Sequence, residues 1–424
     1  MRILLLSDMF PPDSDGGQEV NAEKIAKGLR QRGHDLDVVT AVFRQGYSGG
    51  RETRDWVNRI LEHQPQHYPA RSAVEKIQSI TRYLKENRVH FSNLRKLRTF
   101  LQDRTCDVMY VFGASRVGYI PTLAATEMGI PILWHQGGNN IENRLLQAEQ
   151  MGRIPRLIRA RLCEEEKLDL RHIAYVSQFL VNESEAKGIV GKKGRGSGAT
   201  VVIPRGIEYE PRKDVDRERE NPPVFLMAGR IAYFKGFHTG IEAADLLHKR
   251  CPDLEWQLHI VGAPDDADFG EGTPGSVYLK RLEEMVECAD LQDRVRFLGK
   301  RSRAELQELM TRATAFISAS NCGEAFANTI IETLANGTPL IASADGSAEE
   351  VVTHEESALV FPPDCAPDLS IHMERLLREP DLRRRLAVQG LQVIEARYLL
   401  DRVLDLTESV LQKVADSRGT EAGE

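Results

Sequence analysis

The six cysteines of this chain, Cys106, Cys163, Cys251, Cys288, Cys322 and Cys365, are scattered, and no two of them form a C-x-x-C pair. That argues against a zinc site or a disulfide frame and for free thiols in a reducing cytoplasm. Long apolar runs are also missing. The opening MRILLLSD has only a four-residue apolar run, Ile3 to Leu6, before Asp8. Such a run is too short for a signal peptide and far too short for a membrane span. Short-period repeats and low-complexity tracts are absent too. The first strand-like segment is followed by SDMFPPDSDGGQEV, which lacks the G-x-G-x-x-G that a dinucleotide enzyme would need there.

What is there fits a soluble globular chain, with 41% hydrophobic and 28% charged residues. A length of 424 residues suits two domains rather than one. Charge divides the chain in the same way. Residues 1–205 hold 31 Lys and Arg against 23 Asp and Glu, whereas residues 206–424 hold 25 against 40. The basic excess centres on residues 44–104, with a second focus at 152–162, GRIPRLIRARL. Either focus could meet anionic lipid or an anionic acceptor, or be a solvated helix face. No nucleic-acid partner is expected.

Along the chain, MRILLLSD reads as a buried strand, and QEVNAEKIAKGLRQRGHDLDVVT as a helix, a Gly33 stop and a strand. This is the strand–helix–strand unit of a parallel sheet. Residues 50–104 read as polar helical hairpins. Strands return at CDVMYVFG, IPILWH, HIAYVS and the start of TVVIPRGIEYEP. RKDVDRERENPP reads as a linker, after which the pattern restarts with PVFLMAGR, FHTGIEAADLLHKR, WQLHIVGAP, VRFLGK, TAFISAS, TPLIASA and SALVFPP. The expected division is a first domain over 1–205, a linker over 206–222 and a second domain over 223–395. A last amphipathic helix is expected over 396–414, and a disordered tail over 415–424.

Three stretches carry chemistry. Gly16-Gly17 opens the first helix, where two small residues let backbone amides approach an anion. GRIAYFKG, residues 229–236, puts Arg230 and Lys235 in a loop at the carboxyl end of a strand, where open α/β sheets bind ligands. Two cations there suit a diphosphate. NCGEAFANTIIETLANG, residues 321–337, predicts a helix from about Ala327 to Asn336 with Gly337 as its stop. Glu324 precedes that helix and Glu332 lies inside it, on an apolar stretch where a carboxylate needs a partner. Vicinal hydroxyls of a ligand would supply one, and the amides of Asn328 and Thr329 at the helix start could meet phosphate oxygens. Asp266-Ala267-Asp268 fits a metal-holding D-x-D, but in the polar loop PDDADFGEGTPG it reads as solvated, and no metal site is expected.

On FPPDSDGGQE, IPRGIE, GRIAYFKG, VRFLGK, EAFANTIIE and GSAEEVV, in that order, the chain resembles the retaining, nucleotide-sugar-dependent glycosyltransferases of family 4. The resemblance covers nearly the whole chain and is strongest over 200–362. It implies the GT-B fold: two Rossmann-like parallel-sheet domains facing across a deep cleft, with the C-terminal helix crossing back to the first domain. It further implies a hexosyltransferase that moves a sugar from a nucleoside-diphosphate sugar to an acceptor hydroxyl, with retention and without a metal cofactor. The acceptor class, whether saccharide, lipid-linked or small molecule, stays open. Residue by residue, Arg230 and Lys235 would neutralise the diphosphate, Glu324 would bind hydroxyls of the sugar and Glu332 those of the ribose. Ala327, Asn328 and Thr329 would offer amides to the phosphates, and the backbone near Lys300 and Arg301 would lie by the base. Gly16 and Gly17 would close over the phosphates, and His135 would face the donor sugar.

The chain departs from the family pattern at Ala325 and Ala327, at Gln136 after the histidine, and at Arg205, where the junction glycine usually follows an asparagine. Two other readings share this architecture: a nucleotide-sugar epimerase, and a non-catalytic nucleotide-sugar-binding protein. The scattered cysteines place the protein in the cytoplasm, and the basic N-terminal helices allow peripheral contact at the inner membrane face.

Overall fold

Apolar runs that are buried along nearly their whole length become strands with a neighbour on both sides, the arrangement expected of parallel sheets covered by helices. The computed structural model describes residues 1–12, 17–41, 55–63, 73–113, 117, 119–137, 168–186, 200–208, 210–212, 214, 221–264, 273–326 and 328–419, with side chains of the helix Ala73–Gln102 described from residue 88. The chain divides into two compact units, Met1–Pro204 with Asp401–Glu424, and Arg205–Leu400.

The first unit contains β1 (Arg2–Ser7), β2 (Asp35–Ala41), β3 (Val57–Leu61), β4 (Val108–Phe112), β5 (Ile132–Gln136), β6 (His172–Tyr175) and β7 (Thr200–Val202). They form one parallel sheet in the order β3-β2-β1-β4-β5-β6-β7. Both β4 and β5 are buried at every residue. The helix Gly17–Gln31 turns Ala22, Ile25, Ala26 and Leu29 inward, the i, i+3, i+4, i+7 stripe of a core-facing helix. It stops at Gly33, whose φ of +89° suits a residue without a side chain.

Three details differ from the sequence expectation. Within 50–104, the described residues include the strand Val57–Leu61 and one long helix, Ala73–Gln102, instead of hairpins of helices. β3 carries no apolar alternation and is partly exposed along most of its length. It is a strand because its backbone pairs with β2 at the sheet edge, which side-chain periodicity does not report. The last helix starts at Leu400, after a π-helical turn at Ile394–Tyr398. Leu399 there is extended and bridges Ile207. Part of the expected disordered tail is also ordered: Ser417–Gly419 forms a 3-10 turn, and Arg418 donates to the carbonyls of Cys106 at 3.2 Å and Met128 at 3.3 Å.

Arg32 fastens the last helix, Leu400–Asp416, to the rest of its unit. Its guanidinium meets Asp401 at 3.2 Å, Asp405 at 2.7 Å and Glu408 at 2.7 Å. His34 Nε2 lies 2.7 Å from the other oxygen of Glu408. Gly28 sits under Leu404, and a Cβ there would come within 2.4 Å of a Leu404 methyl.

The second unit contains β8 (Val224–Ala228), β9 (Gln257–Val261), β10 (Val295–Gly299), β11 (Ala315–Ser318), β12 (Leu340–Ser343) and β13 (Leu359–Phe361). These strands form a parallel sheet in the order β10-β9-β8-β11-β12-β13. Its core holds Phe225, Met227, Phe237, Ile241, Trp256, Leu258, Ile317, Ile341, Phe361 and Leu369. The connections leaving β8 and β11 run to opposite sides, one to β9 and the other to β12. The carboxyl ends of β8 and β11 therefore flank a topological switch point, the place where open α/β sheets bind ligands. Among the described residues no helix is long and apolar enough to cross a membrane.

Candidate functional site

At that switch point the second unit joins two of the sequence-predicted residues. Lys235 leaves the loop after β8, and its Nζ lies 2.7 Å from Glu324 Oε1 and 2.8 Å from Oε2. The helical turn Tyr233–Lys235 ends at Gly236, whose φ is +65°. A Cβ on Gly236 would lie 1.9 Å from the Ala319 carbonyl oxygen. The β8 loop thus approaches the β11 loop backbone to backbone, and Asn321 N donates to Phe234 O at 3.1 Å. Arg230 is exposed, with its guanidinium 5.3 Å from the centre of the Phe234 ring; Lys235 Nζ is 5.4 Å from the same centre. Both predicted cations thus flank one buried aromatic residue.

The loop that carries Glu324 is held from three sides. Ser320 Oγ donates to Glu324 Oε2 at 2.8 Å. Asp345, after β12, accepts from the amides of Gly323 at 2.7 Å and Glu324 at 3.2 Å. Ser343 Oγ donates to Ser320 O at 2.5 Å, and Ser347 N to Glu324 O at 3.0 Å. Burial would raise the Glu324 pKa, but the charge and hydrogen bond of Lys235, the Ser320 hydroxyl and the charge of Arg205 outweigh it and hold the carboxyl below its ordinary value. It is an ionised acceptor at a rigid position, suited to binding hydroxyls.

The helix after this loop is Asn328–Ala335, one residue shorter at each end than the expected span; Ala327 lies outside the described residues. Asn328 and Thr329 open it, with no acidic residue in its first turn. Glu332 does not need a ligand to satisfy its charge. Its carboxylate pairs with Arg303 at 3.3 Å and its side chain keeps 20% of its exposure. This corrects the expectation that the apolar helix leaves Glu332 short of a partner: the helix Arg303–Arg312 supplies one. Lys300 and Arg301 are exposed on the connection after β10, ahead of a capping box made by Ser302 and Glu305. In the sheet they stand two strands from β8.

In the first unit, His135 lies near the end of β5 and is 2% exposed. Its Nδ1 is 2.7 Å from the Tyr110 hydroxyl, and its ring packs 4.6 Å from Phe112. Burial pushes the Tyr110 phenol well above its usual range, so it stays protonated. Next to it, Gln136 is fully buried, and neither amide atom has a hydrogen-bond partner among the described residues. Gly17 opens the helix Gly17–Gln31 on the surface. Gly16, the D-x-D residues Asp266 and Asp268, and the basic stretch 152–162 lie outside the described residues.

Four contributors escaped the sequence reading: Ser320, Asp345, Arg303 and Arg205. GSAEEVV had marked the loop beyond β12, but it starts one residue after Asp345. Arg205 stood out only as a departure. Its Nη1 donates to Asn328 Oδ1 at 3.0 Å.

Residues 209–393 match the model of the family described as glycosyl transferases group 1. Over 167 residues the chain is 30% identical to mannosylfructose-phosphate synthase of Agrobacterium fabrum, covering 39% of this chain and 35% of that protein. Over 213 residues it is 26% identical to alpha-D-kanosaminyltransferase of Streptomyces kanamyceticus, covering 50% of this chain and 51% of the relative. The chain thus spans between a third and about half of the length of these curated relatives. Among solved structures, HepE of Anabaena in complex with UDP superposes with a TM-score of 0.67 at 19% identity, over 97% of this chain and 100% of that one. That likeness establishes the fold. Residues 209–393 thus resemble the group 1 glycosyl transferases, and the chain has the GT-B fold of two parallel α/β sheets.

Proposed function

We propose that the protein is a retaining hexosyltransferase, which moves a sugar from a nucleoside-diphosphate sugar to an acceptor hydroxyl. The observation that carries this reading is the Lys235–Glu324 pair at the carboxyl ends of β8 and β11, 2.7 Å apart. A sugar phosphate needs a cation for its phosphate and a fixed acceptor for its hydroxyls, side by side. An ammonium group has three donors, so Lys235 can serve Glu324 and a phosphate oxygen together.

In this reading Arg230 and Lys235 neutralise the charge that builds on the departing diphosphate, in place of a metal ion. The sugar bond breaks with oxocarbenium character, and the acceptor attacks from the same face with the departing phosphate as its base. Glu324 orients the sugar through its hydroxyls, and Glu332 binds the ribose. The amides of Ala327, Asn328 and Thr329 receive phosphate oxygens at the helix start. The backbone at Lys300 and Arg301 borders the base, Gly16 and Gly17 close over the phosphates, and His135 contacts the sugar. The first unit takes the acceptor, and its basic helices meet an anionic membrane surface.

The test is nucleotide release from a matched donor and acceptor, chosen by thermal-shift screening of UDP, GDP, ADP and TDP sugars, since binding to the folded state raises the melting temperature. Lys235→Ala and Glu324→Ala should each abolish release, and wild-type activity should persist in EDTA. Near wild-type turnover in both variants would refute the assignment.

A further inference from the structure

Tyr233, two residues before Lys235, is 41% exposed and yet fixed in place. Its ring lies nearly flat on that of His238, with 4.5 Å between centres and 13° between planes. His238 is itself engaged at both ring nitrogens. The Tyr278 hydroxyl accepts from the His238 amide at 3.1 Å, so its own proton goes to His238 Nδ1 at 2.8 Å. Burial raises the Tyr278 phenol and lowers the His238 imidazole, which keeps the first protonated and the second neutral near pH 7. The ring proton of His238 is therefore on Nε2, which faces Asp364 Oδ1 at 3.5 Å.

Asp364 lies in the connection between β13 and the helix Ala366–Arg378. Besides His238, two donors converge on its Oδ1: Asn321 Nδ2 at 2.8 Å and Thr239 Oγ1 at 3.4 Å. His238 and Thr239 belong to the helix Phe237–Arg250, which follows Lys235 directly after Gly236. Asn321 belongs to the loop that carries Glu324, and its backbone amide holds Phe234 O, next to Lys235. One carboxylate oxygen thus ties together the two loops that bring Lys235 and Glu324 within 2.7 Å. Asp364 is not spent on its own helix, where Cys365 holds the cap position. Its φ of +57° is left-handed, a conformation that Asp and Asn tolerate better than most side chains. Such strain persists where the surroundings over-determine it, and it gathers at functional sites.

We propose that Asp364 is a positioning residue of the donor site: through Asn321 and His238 it sets the spacing of the loops that present Lys235 and Glu324. This rests on the donor-site reading above and deepens it. Asp364 acts through those two residues and needs no contact with the donor. A shift of about 1 Å in a positioned group can cost about 100-fold in rate, so a tie beyond the Lys235–Glu324 pair governs turnover.

The test is kcat and KM of the full chain with its matched donor and acceptor, measured beside thermal melting. Asp364→Gly removes the carboxylate and suits the left-handed backbone, and it should lower kcat at saturating donor by about tenfold or more. Asp364→Asn keeps an oxygen for Asn321 and should stay within about threefold of wild type. A role confined to stability would lower the melting temperature and leave kcat per folded molecule unchanged. Asn321→Ala keeps the backbone bond to Phe234 and loses the bond to Asp364. It should reproduce the Asp364→Gly defect, and it takes the place of that variant should the glycine chain fold poorly. The double variant should be no worse than either single one, because the two residues share one interaction. Wild-type kcat in folded Asp364→Gly or Asn321→Ala, an additive double variant, or equal defects in Asp364→Asn and Asp364→Gly, each beside an inactive Lys235→Ala, overturns the role of Asp364 and leaves the donor site standing. Near wild-type turnover in Lys235→Ala, or no turnover by the wild-type chain with any of the donors, overturns both.

Discussion

Gly346 lies against the backbone of Glu324: a Cβ at Gly346 would meet the Glu324 carbonyl oxygen at 2.2 Å and its amide nitrogen at 2.5 Å. Its φ of +56° is also one that side chains disfavour. Gly346→Ala must therefore strain its own turn and push Glu324 out of place. The expected cost is about 1–3 kcal/mol for the backbone alone. Thermal melting should fall by several degrees, and turnover should fall more than stability explains. An alanine variant with unchanged melting temperature and activity would contradict this packing.

Glu324 and Glu332 should fail differently. Glu332→Ala removes one end of an ion pair whose arginine is half-exposed, a contact worth about 0–1 kcal/mol in stability. Its expected effect is a donor KM raised about tenfold with kcat nearly unchanged, the pattern of lost uniform binding. Glu324→Ala should instead abolish turnover. Steady-state kinetics at varied donor concentration separates the two.

The pH dependence of stability reports on Lys235. Glu324 has a pKa below its ordinary value of 4.5, so the stability it contributes is fully present above that value. It is lost as pH falls through the lower folded value. In Lys235→Ala the largest opposing influences are gone, burial dominates, and the Glu324 pKa should rise. Protonation then no longer costs the folded state, so the acid-side loss of stability should be shallower than in wild type, or reversed. Urea unfolding across pH 3–8 measures the difference, and superimposable acid limbs would contradict it.

Arg32 binds three carboxylates of the last helix, and this network outlasts an isolated surface pair because one partly buried guanidinium serves all three. Arg32→Ala leaves Asp401, Asp405 and Glu408 facing one another. We expect a loss of roughly 1–2 kcal/mol, with faster amide exchange over residues 401–416 than elsewhere in the first unit. Added salt should recover part of the loss by screening the repulsion. Uniform exchange throughout the unit would argue against a local fastening.

Most strands were legible because both of their faces are buried, which writes an apolar run into the chain; RILLLS, VMYVF and ILWHQ are such runs. The edge strand Val57–Leu61 was not, because its identity lies in backbone pairing with β2. The functional loops were legible for a different reason. GRIAYFKG and NCGEAFANTIIE combine glycines that permit close approach with charges that local structure does not require. Lys235 and Glu324 are 89 residues apart in sequence and meet through sheet order alone. Glu332 shows the limit of the same logic. Its partner Arg303 lies on a helix whose own caps already explain its charged start, so nothing marked it as paired across 29 residues.

The two units differ in how they can be completed during synthesis. Arg205–Leu400 is one unbroken stretch, whereas the first unit needs Asp401–Glu424, which is made after that stretch. Until those residues emerge, Gly28 has no Leu404 above it and Arg32 lacks all three of its carboxylates. The amino-terminal sheet therefore waits, with an uncovered helix face, while the second unit can close. A chain truncated before Asp401 would keep that domain intact and leave the other as the part that chaperones and proteases recognise.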